Sequence, residues 1–284
     1  MVPMLLQLTT MGVTSPRRKE LVAACLAAVV LAVSACGSSS QKAIPFEDAP
    51  SASDVITVGT VDPSHFGTLP VGATLPTDEY CSAHVRPTPE VRKANATFNL
   101  TSGATAPPQT GYFARVTGNF TGTTDEIIQW ASCKWGIDED IVRAQVAKES
   151  WWYQKTVSDW STDPTHCVPN HGIGVDGKKR QCPESIGLLQ LRFPYIPDAF
   201  PTVTVSSAYN MDYALAYRRQ CFEGLDTWLN TVERGSDYAT GDLWGCIGTW
   251  FAGRWHTAAA DQYMNAVRDY LSQRVWETHD FLKG

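Results

Sequence analysis

The segment VAKESWWYQKTVSDW, residues 146–160, places one carboxylate, Glu149, at the predicted end of an apolar helix. Val142 and Val146 share a helical face with Glu149, so the acid is expected to point inward, with the aromatic rings of residues 151–153 beside it. Burial and the negative end of the helix dipole both disfavour a carboxylate anion. A glutamic acid that stays protonated near neutral pH can protonate a glycosidic oxygen, since a sugar alkoxide is too basic to leave alone.

A second motif, SIGLLQLRF at residues 185–193, lies downstream of a serine, Ser158, that follows Glu149 by nine positions. The order of Glu-Ser, the spaced serine, Gly-Leu-Leu-Gln and the later NMDYALAYRRQC resembles the soluble lytic transglycosylase family. The resemblance covers most of residues 123–275. It implies a lysozyme-like α domain that cuts the β-1,4 bond between MurNAc and GlcNAc in peptidoglycan.

The resemblance also implies roles for individual residues. Glu149 would be the catalytic acid, Ser158 would orient it or the substrate N-acetyl group, and Gln190 would bind substrate through its amide. Gly187 and Leu188 would shape the groove, either by direct contact or as a tight turn with a buried leucine. With a single carboxylate, Glu149 would first donate its proton and then take the proton of the C6 hydroxyl, which leaves a 1,6-anhydro-MurNAc end.

One segment departs from the family pattern. Near the C-terminus the family has Ala-Tyr-Asn-Ala-Gly, whereas this chain has TWFAGRW, with Trp250 and Phe251 at the Tyr and Asn positions. Trp250 can still stack on a sugar and is expected to bind substrate. The phenol oxygen is lost, which puts the hydrogen bonding of Glu149 in the second step in doubt.

Two other functions stay open. A hydrolytic muramidase similar to goose-type lysozymes would need an aspartate to position water, and Asp163 is the candidate. Its place between Thr162 and Pro164 is also typical of a solvated, turn-forming aspartate. The altered TWFAG segment also allows a lipoprotein that binds glycan without cutting it.

The N-terminus is typical of an export signal. Basic residues at 17–19 precede an apolar run at 21–33, which is shorter than the ~20 residues of a spanning helix, and VSAC ends at Cys36. This ending resembles a bacterial lipobox, with an ordinary secretory signal as the alternative. We expect residues 1–35 to be removed and Cys36 to be lipidated, which would anchor the exported protein to the outer face of the cell membrane.

The charge of the chain excludes one class of partner. The formal net charge is −6 and becomes about −8 once residues 1–35 are removed, which is not the balance of a nucleic-acid-binding protein. An acidic protein gains no long-range attraction to an anionic cell wall. The lipid at Cys36 is therefore expected to bring the protein to its peptidoglycan strands.

Six of the eight cysteines remain after Cys25 leaves with the signal and Cys36 takes the lipid. Six cysteines in an oxidising compartment suggest three disulfides. Cys167 and Cys182 bound a polar, Gly-containing segment and are expected to pair. The alternative is a zinc site from these two cysteines with His166 and His171, but its spacing matches no metal signature, and we expect neither metal nor cofactor. The partners of the other four stay open: Cys81, Cys133, Cys221 and Cys246.

Composition divides the chain. Nine of the 17 prolines lie between residues 37 and 110, whereas all ten tryptophans lie from Trp130 onward. We predict a flexible tether at residues 36–68, an extended Pro/Ser/Thr-rich arm at 69–110 and one mostly α, lysozyme-like domain at 111–284.

Helical patterns recur through the predicted domain. Thr123 and Glu126 form a capping-box pattern for a helix to about Lys134, and Asp138 can cap the next helix. Three later stretches show helical spacing: Met211, Leu215 and Phe222; Leu225, Trp228, Leu229 and Val232; and Tyr263, Val267, Leu271 and Val275.

Overall fold

The computed structural model describes residues 62–95 and 111–284. The predicted signal peptide, Cys36 and parts of the predicted tether and arm lie outside the described residues. Helices dominate the described part. The α-helices are α1 (Asp78–His84), α2 (Thr124–Trp135), α3 (Glu139–Ser150), α4 (Ser207–Phe222), α5 (Leu243–Ala252), α6 (Ala258–Ser272) and α7 (His279–Lys283), and the strands are β1 (Val157–Ser161), β2 (Cys182–Ile186) and β3 (Leu191–Arg192).

The mostly α fold class is confirmed, and the first two helices of the predicted domain begin where their caps predict. Thr123 and Glu126 form both hydrogen bonds of the capping box at the start of α2. Helix α2 ends at Gly136, which adopts the left-handed conformation that glycine tolerates. Asp138 then accepts the first free amides of α3, so α3 starts directly after α2 and carries Glu149 in its last turn.

The predicted helix over residues 225–232 is wrong. The segment forms only a short 3₁₀ turn, Thr227–Thr231, and α4 ends before it. Leu225 is 55% exposed and Trp228 is 47% exposed, whereas Leu229 is fully buried. One buried residue cannot hold a helix against the domain, since helices in proteins depend on packing of a continuous apolar face.

The C-terminal helical region also differs from expectation. Helix α6 ends at Ser272 because Arg274 takes a left-handed conformation, and Val275 belongs to the 3₁₀ turn that follows. Helix α5, which is rich in glycine and tryptophan, was not predicted. Among the described residues, no helix has the length and apolar content needed to cross a bilayer.

A small antiparallel sheet, ordered β1-β2-β3, lies between α3 and α4 in the sequence and was also not predicted. Ser158 of β1 stands opposite Ser185 of β2. The loop between these strands is closed by the Cys167–Cys182 disulfide, which confirms that pairing. Both sulfurs that the zinc alternative required are therefore used.

The remaining four cysteines pair as Cys81–Cys133 and Cys221–Cys246. The first of these bonds joins α1 to α2. The first described residues already contact the domain, because Phe66 is fully buried and Arg219 donates to the carbonyl oxygens of Leu69 and Pro70 at 2.8 and 2.6 Å. Packing therefore begins before residue 69.

One buried carboxylate joins α2 to α4. Asp212 is fully buried, and its Oδ1 accepts from the indole of Trp135 at 2.6 Å. Its Oδ2 accepts from Lys134 Nζ at 2.7 Å and from the amides of Thr117 and Gly118 at 2.8 and 2.9 Å. The Asp212 cluster is thus a fully bonded ion pair in the interior.

We predict that Asp212→Ala lowers the free energy of unfolding by about 3–5 kcal/mol, because three N–H donors lose their acceptor and the buried ammonium of Lys134 keeps only the carboxylate of Asp78. Urea denaturation measures the loss. Asp280→Ala, at a side chain that is 97% exposed, is the control and should change stability by less than ~0.5 kcal/mol. Equal unfolding midpoints for the two variants would contradict the role of Asp212.

Candidate active site

A groove of about 940 Å³ is lined by the end of α3, the sheet, α4, the segment after α4 and α5. Glu149, Ser158, Gln190 and Trp250 all line it, as predicted. The other charged residues that line it are Asp159, Arg192, Arg218, Asp226 and Arg254, and the other aromatic residues are Tyr195, Tyr217, Trp228 and Phe251.

Glu149 is an acid of this groove with a strongly raised pKa. Desolvation by burial raises its pKa to about 7, and the negative charge of Asp159 acts in the same direction. A hydrogen bond from Tyr263 and the positive charge of Arg218 favour the anion and limit the rise. The result is a carboxyl group that can both give and accept a proton at neutral pH.

The aromatic residues that follow Glu149 in sequence do not line the groove. Trp151 and Trp152 both take left-handed conformations, so the chain turns sharply at the end of α3. Their rings pack against Phe281, with centroids 4.7 and 5.2 Å away, and neither lines the groove. The two indole rings are therefore not part of the groove wall around Glu149.

Tyr263 of α6 supplies the phenol that TWFAG lacks. Its hydroxyl donates to Glu149 Oε1, and the side chain is 5% exposed. Phe251 stacks flat on the Tyr263 ring at 5.0 Å. Sequence reasoning placed Tyr263 on the buried face of the last long helix, where a hydroxyl among aliphatic residues was the available signal, but nothing in the pattern connected it to α3.

Trp250 lines the groove as predicted, but its indole nitrogen is already used. Nε1 donates to the carbonyl oxygen of Leu189 at 3.1 Å. This bond holds the ring between α5 and the turn before β3, and it leaves the ring, rather than the N–H, as the part available to a ligand.

Ser158 and Gln190 are bonded to each other. Ser158 Oγ donates to Gln190 Oε1 at 2.7 Å, while Gln190 Nε2 donates to the carbonyl oxygens of Thr156 and Gly187 at 3.0 and 2.6 Å. Both amide hydrogens of Gln190 are thus engaged within the protein. Gln190 lines the groove, but its hydrogen bonds position Ser158 and the turn, which differs from the predicted role as a substrate-binding amide.

Gly187 and Leu188 do not line the groove. Gly187 has φ +92°, and a side-chain carbon there would collide with the amide of Asn210, so glycine is required by both conformation and space. Leu188 is fully buried. Of the two predicted possibilities, the tight turn with a buried leucine is the one observed, and direct substrate contact is not.

The second carboxylate near Glu149 is Asp159, which sequence reasoning missed. Asp159 lines the groove and accepts a hydrogen bond from Ser185 Oγ. Asp163 is exposed, accepts from the backbone amide and hydroxyl of Thr165 at 2.9 and 2.7 Å, and does not line the groove. The hydrolase hypothesis therefore has Asp159, not Asp163, as its candidate.

In the part of the chain that the structure describes, one group of His and acidic residues is close enough to share a metal ion: His65, Glu139 and Asp140. Arginines already neutralise these acids, because Arg143 bonds both Glu139 and Asp140 at 2.8 and 2.7 Å. None of the three residues lines the groove.

Comparisons with protein-family models, with curated proteins and with solved structures found no match to this chain.

We predict that Glu149→Gln stabilises the fold at alkaline pH. The pKa of Glu149 is raised from 4.5 to about 7 in the folded state, so ionisation of this group does not reduce the stability of the fold below pH 4.5. The loss of stability grows between pH 4.5 and pH 7 and is complete above pH 7. At ~1.4 kcal/mol per pKa unit, the variant should gain about 3 kcal/mol relative to the parent between pH 4 and pH 8.

Chemical denaturation at both pH values measures this difference. Glu233→Gln, at an exposed glutamate, is the matched control and should follow the parent at both. If Glu149→Gln and the parent lose stability equally between pH 4 and pH 8, Glu149 is not held protonated by the fold.

Proposed function

We propose that the protein is a peptidoglycan lytic transglycosylase with a lysozyme-like domain, which cleaves the MurNAc–GlcNAc β-1,4 bond and leaves a 1,6-anhydro-MurNAc end. The observation that carries the proposal is the state of Glu149. It lies in a groove, its pKa is raised to about 7, and it accepts a hydrogen bond from Tyr263.

Such a carboxyl group can serve both halves of the reaction. Protonated Glu149 gives its proton to the glycosidic oxygen as the bond from C1 to that oxygen breaks. The resulting carboxylate then takes the proton of the C6 hydroxyl while O6 bonds to C1, so Glu149 ends protonated and no water is consumed. The hydrogen bond from Tyr263 stabilises the intermediate carboxylate, and a pKa near the working pH suits a group that must act as acid and base.

The rim of the groove supports a sugar as the ligand. Tyr195, Trp228 and Phe251 line it and are 72%, 47% and 62% exposed. Large aromatic side chains rarely stand this exposed around a concave site without a partner. Aromatic rings can stack on the apolar C–H faces of sugars. Asp226 and Arg254 in the same groove can form hydrogen bonds to the hydroxyl and acyl groups of a sugar.

The groove also supports a second candidate function, hydrolysis. Asp159 is a second carboxylate beside Glu149 and could activate water, as in inverting glycosidases, or act as the nucleophile, as in retaining glycosidases. Its hydrogen bond from Ser185 favours a positioning role instead. A third candidate, glycan binding without cleavage, would use the same aromatic rim.

We predict that Glu149→Gln keeps the fold and glycan binding but loses turnover by about 10²- to 10⁴-fold, since a placed general acid contributes that much. A zymogram and a soluble-product assay with purified peptidoglycan measure the loss. An inactive parent protein would leave glycan binding as the function. Retention of a tenth or more of parental turnover would remove Glu149 from the catalytic role.

We predict that released muropeptides carry 1,6-anhydro ends, which mass spectrometry distinguishes from reducing ends by the mass of one water. Asp159→Asn should preserve this product, because the proposed route needs no second carboxylate. Asp163→Asn is the control outside the groove. Reducing ends, or ¹⁸O taken up from labelled water, that disappear only in Asp159→Asn would establish hydrolysis.

We also propose that the protein is exported and anchored by lipid at Cys36, a residue outside the described ones. The apolar run that ends in VSAC carries this proposal. We predict that Cys36→Ala shifts the protein from the membrane fraction to the soluble exported fraction, as followed by fractionation and immunoblotting. Unchanged membrane association would contradict lipidation at this cysteine.

A further inference from the structure

A row of hydrogen bonds between largely buried side chains joins Glu149 to Arg218, which also lines the groove. Arg218 of α4 donates through Nη1 to Oε1 of Gln145 on α3. Gln145 Nε2 donates to the hydroxyl of Tyr263 at 3.2 Å, and that hydroxyl donates to Glu149 Oε1. The three relay side chains are 2%, 0% and 5% exposed, so solvent does not compete with them.

The cation at the start of the row fixes its direction. A guanidinium group can only donate, so the amide of Gln145 must turn its oxygen toward Arg218 and its NH₂ toward Tyr263. The Tyr263 oxygen is then an acceptor from Gln145, and its own hydrogen is free to point to Glu149. Aligned donors of this kind polarise one another, which strengthens the last bond of the row.

The burial of Arg218 carries an energetic cost. It is fully charged, buried and bonded to one side chain, with its guanidinium carbon 5.4 Å from the centre of the Trp250 ring. Its Nη2 has no hydrogen-bond partner among the described residues. Burial lowers the pKa of Arg218 to about 10, which still leaves the side chain protonated at neutral pH. A buried cation with an unsatisfied donor destabilises the fold, so its presence calls for a function.

We propose that Arg218 is a positioning residue for Glu149. It acts through Gln145 and Tyr263, which hold a hydroxyl donor on Oε1 and leave Oε2 as the oxygen that carries the exchangeable proton. This inference rests on the proposed function for its catalytic meaning, since the base form of Glu149 in the second step is the form that the relay stabilises. The relay itself is a property of the free protein.

Four groups bear on the charge of Glu149, one from each surrounding element. Tyr263 of α6 and Arg218 of α4 favour the carboxylate, Asp159 of β1 opposes it, and Lys148 of α3 itself favours it weakly. Removal of Arg218 should raise the pKa of Glu149, because the carboxylate loses the nearby positive charge and also the hydrogen bond from Tyr263 that the relay orients.

The test is a ¹³C NMR titration of the glutamate carboxyl groups in the intact domain, with the Glu149 signal assigned by its absence in Glu149→Gln. Arg218→Met should raise the midpoint by about one unit, the lower end of the effect of a nearby opposite charge. The alkaline limb of the pH profile of kcat/KM should move to higher pH together with the Glu149 midpoint. Arg218→Lys keeps a cation and should restore most of the parental midpoint.

Arg219→Met is the matched control. Arg219 is the next residue of α4 and equally buried, but it bonds Glu223 and the backbone carbonyl oxygen of Gly136. Its loss should destabilise the fold without moving the Glu149 midpoint. An Arg218→Met midpoint that matches the parent and Arg219→Met would overturn the inference.

The route is tested separately in a Tyr263→Phe background, which cuts the last bond of the relay. There, Arg218→Met should shift the midpoint by less than half of its effect in the parent, since coupled residues are not additive. An equal shift in both backgrounds would show action through space and overturn the relay. If Arg218→Met does not fold, Gln145→Met is the alternative variant, because it interrupts the relay and keeps the cation. The Glu149 midpoint should then rise, and an unchanged midpoint would overturn the relay.

The titration uses no substrate, so it separates the two proposals. A shifted midpoint in a protein that cuts no glycan would support the relay and contradict the proposed function. An unshifted midpoint in an active transglycosylase would contradict the relay and support the proposed function.

Discussion

The arrangement of the helices depends on the burial of one carboxylate, Asp212. A fully buried carboxylate is tolerable only when its oxygens are bonded, and Asp212 draws its donors from α2 and from residues 117 and 118. Helix α4 is therefore locked against α2. Arg218 lies six residues further along α4, about 9 Å at the rise of an α-helix, so the same lock fixes where the guanidinium meets α3.

The end of α3 imposes a second constraint. Left-handed conformations at Trp151 and Trp152 turn the chain immediately after Glu149, so the acid stays in the last turn and the tryptophans fill a different part of the core. The groove is then completed by side chains from α4, α5 and the sheet. A carboxyl group held by neighbours from several elements keeps its position without a rigid loop of its own.

Local patterns predicted the parts that depend on neighbours in sequence. The capping box of α2, the cap of α3, the Cys167–Cys182 loop and the inward face of Glu149 all follow from spacing within a few residues or from one closed segment. The helical spacing of residues 225–232 failed because spacing says nothing about whether a facing surface exists. Gln190 was assigned by side-chain type, whereas its partners were decided by the fold.

The relay was beyond sequence reasoning for the same reason. The relay joins residues that are distant in sequence: Arg218 follows Gln145 by 73 positions, and Tyr263 follows Arg218 by 45. The local sequence around each residue indicates only a helix. The fold brings the three polar groups together, because α3 packs against α6 and the guanidinium of Arg218 reaches α3 from α4. Asp159 was likewise hidden, since its neighbour Ser158 carried the recognisable spacing.

The Cys221–Cys246 disulfide bears on when this groove can exist. Both cysteines line it, and they enclose the segment that carries Asp226 and Trp228. Apart from the disulfide, this wall is held by hydrogen bonds from Gln220 to Asp226 and from Tyr238 to the backbone of Cys221, and by the buried side chain of Leu229. Thiols stay reduced in the cytosol and oxidise outside it. If the protein is exported as proposed, this disulfide forms only after translocation, and the covalent link across this wall of the groove is absent from the precursor inside the cell.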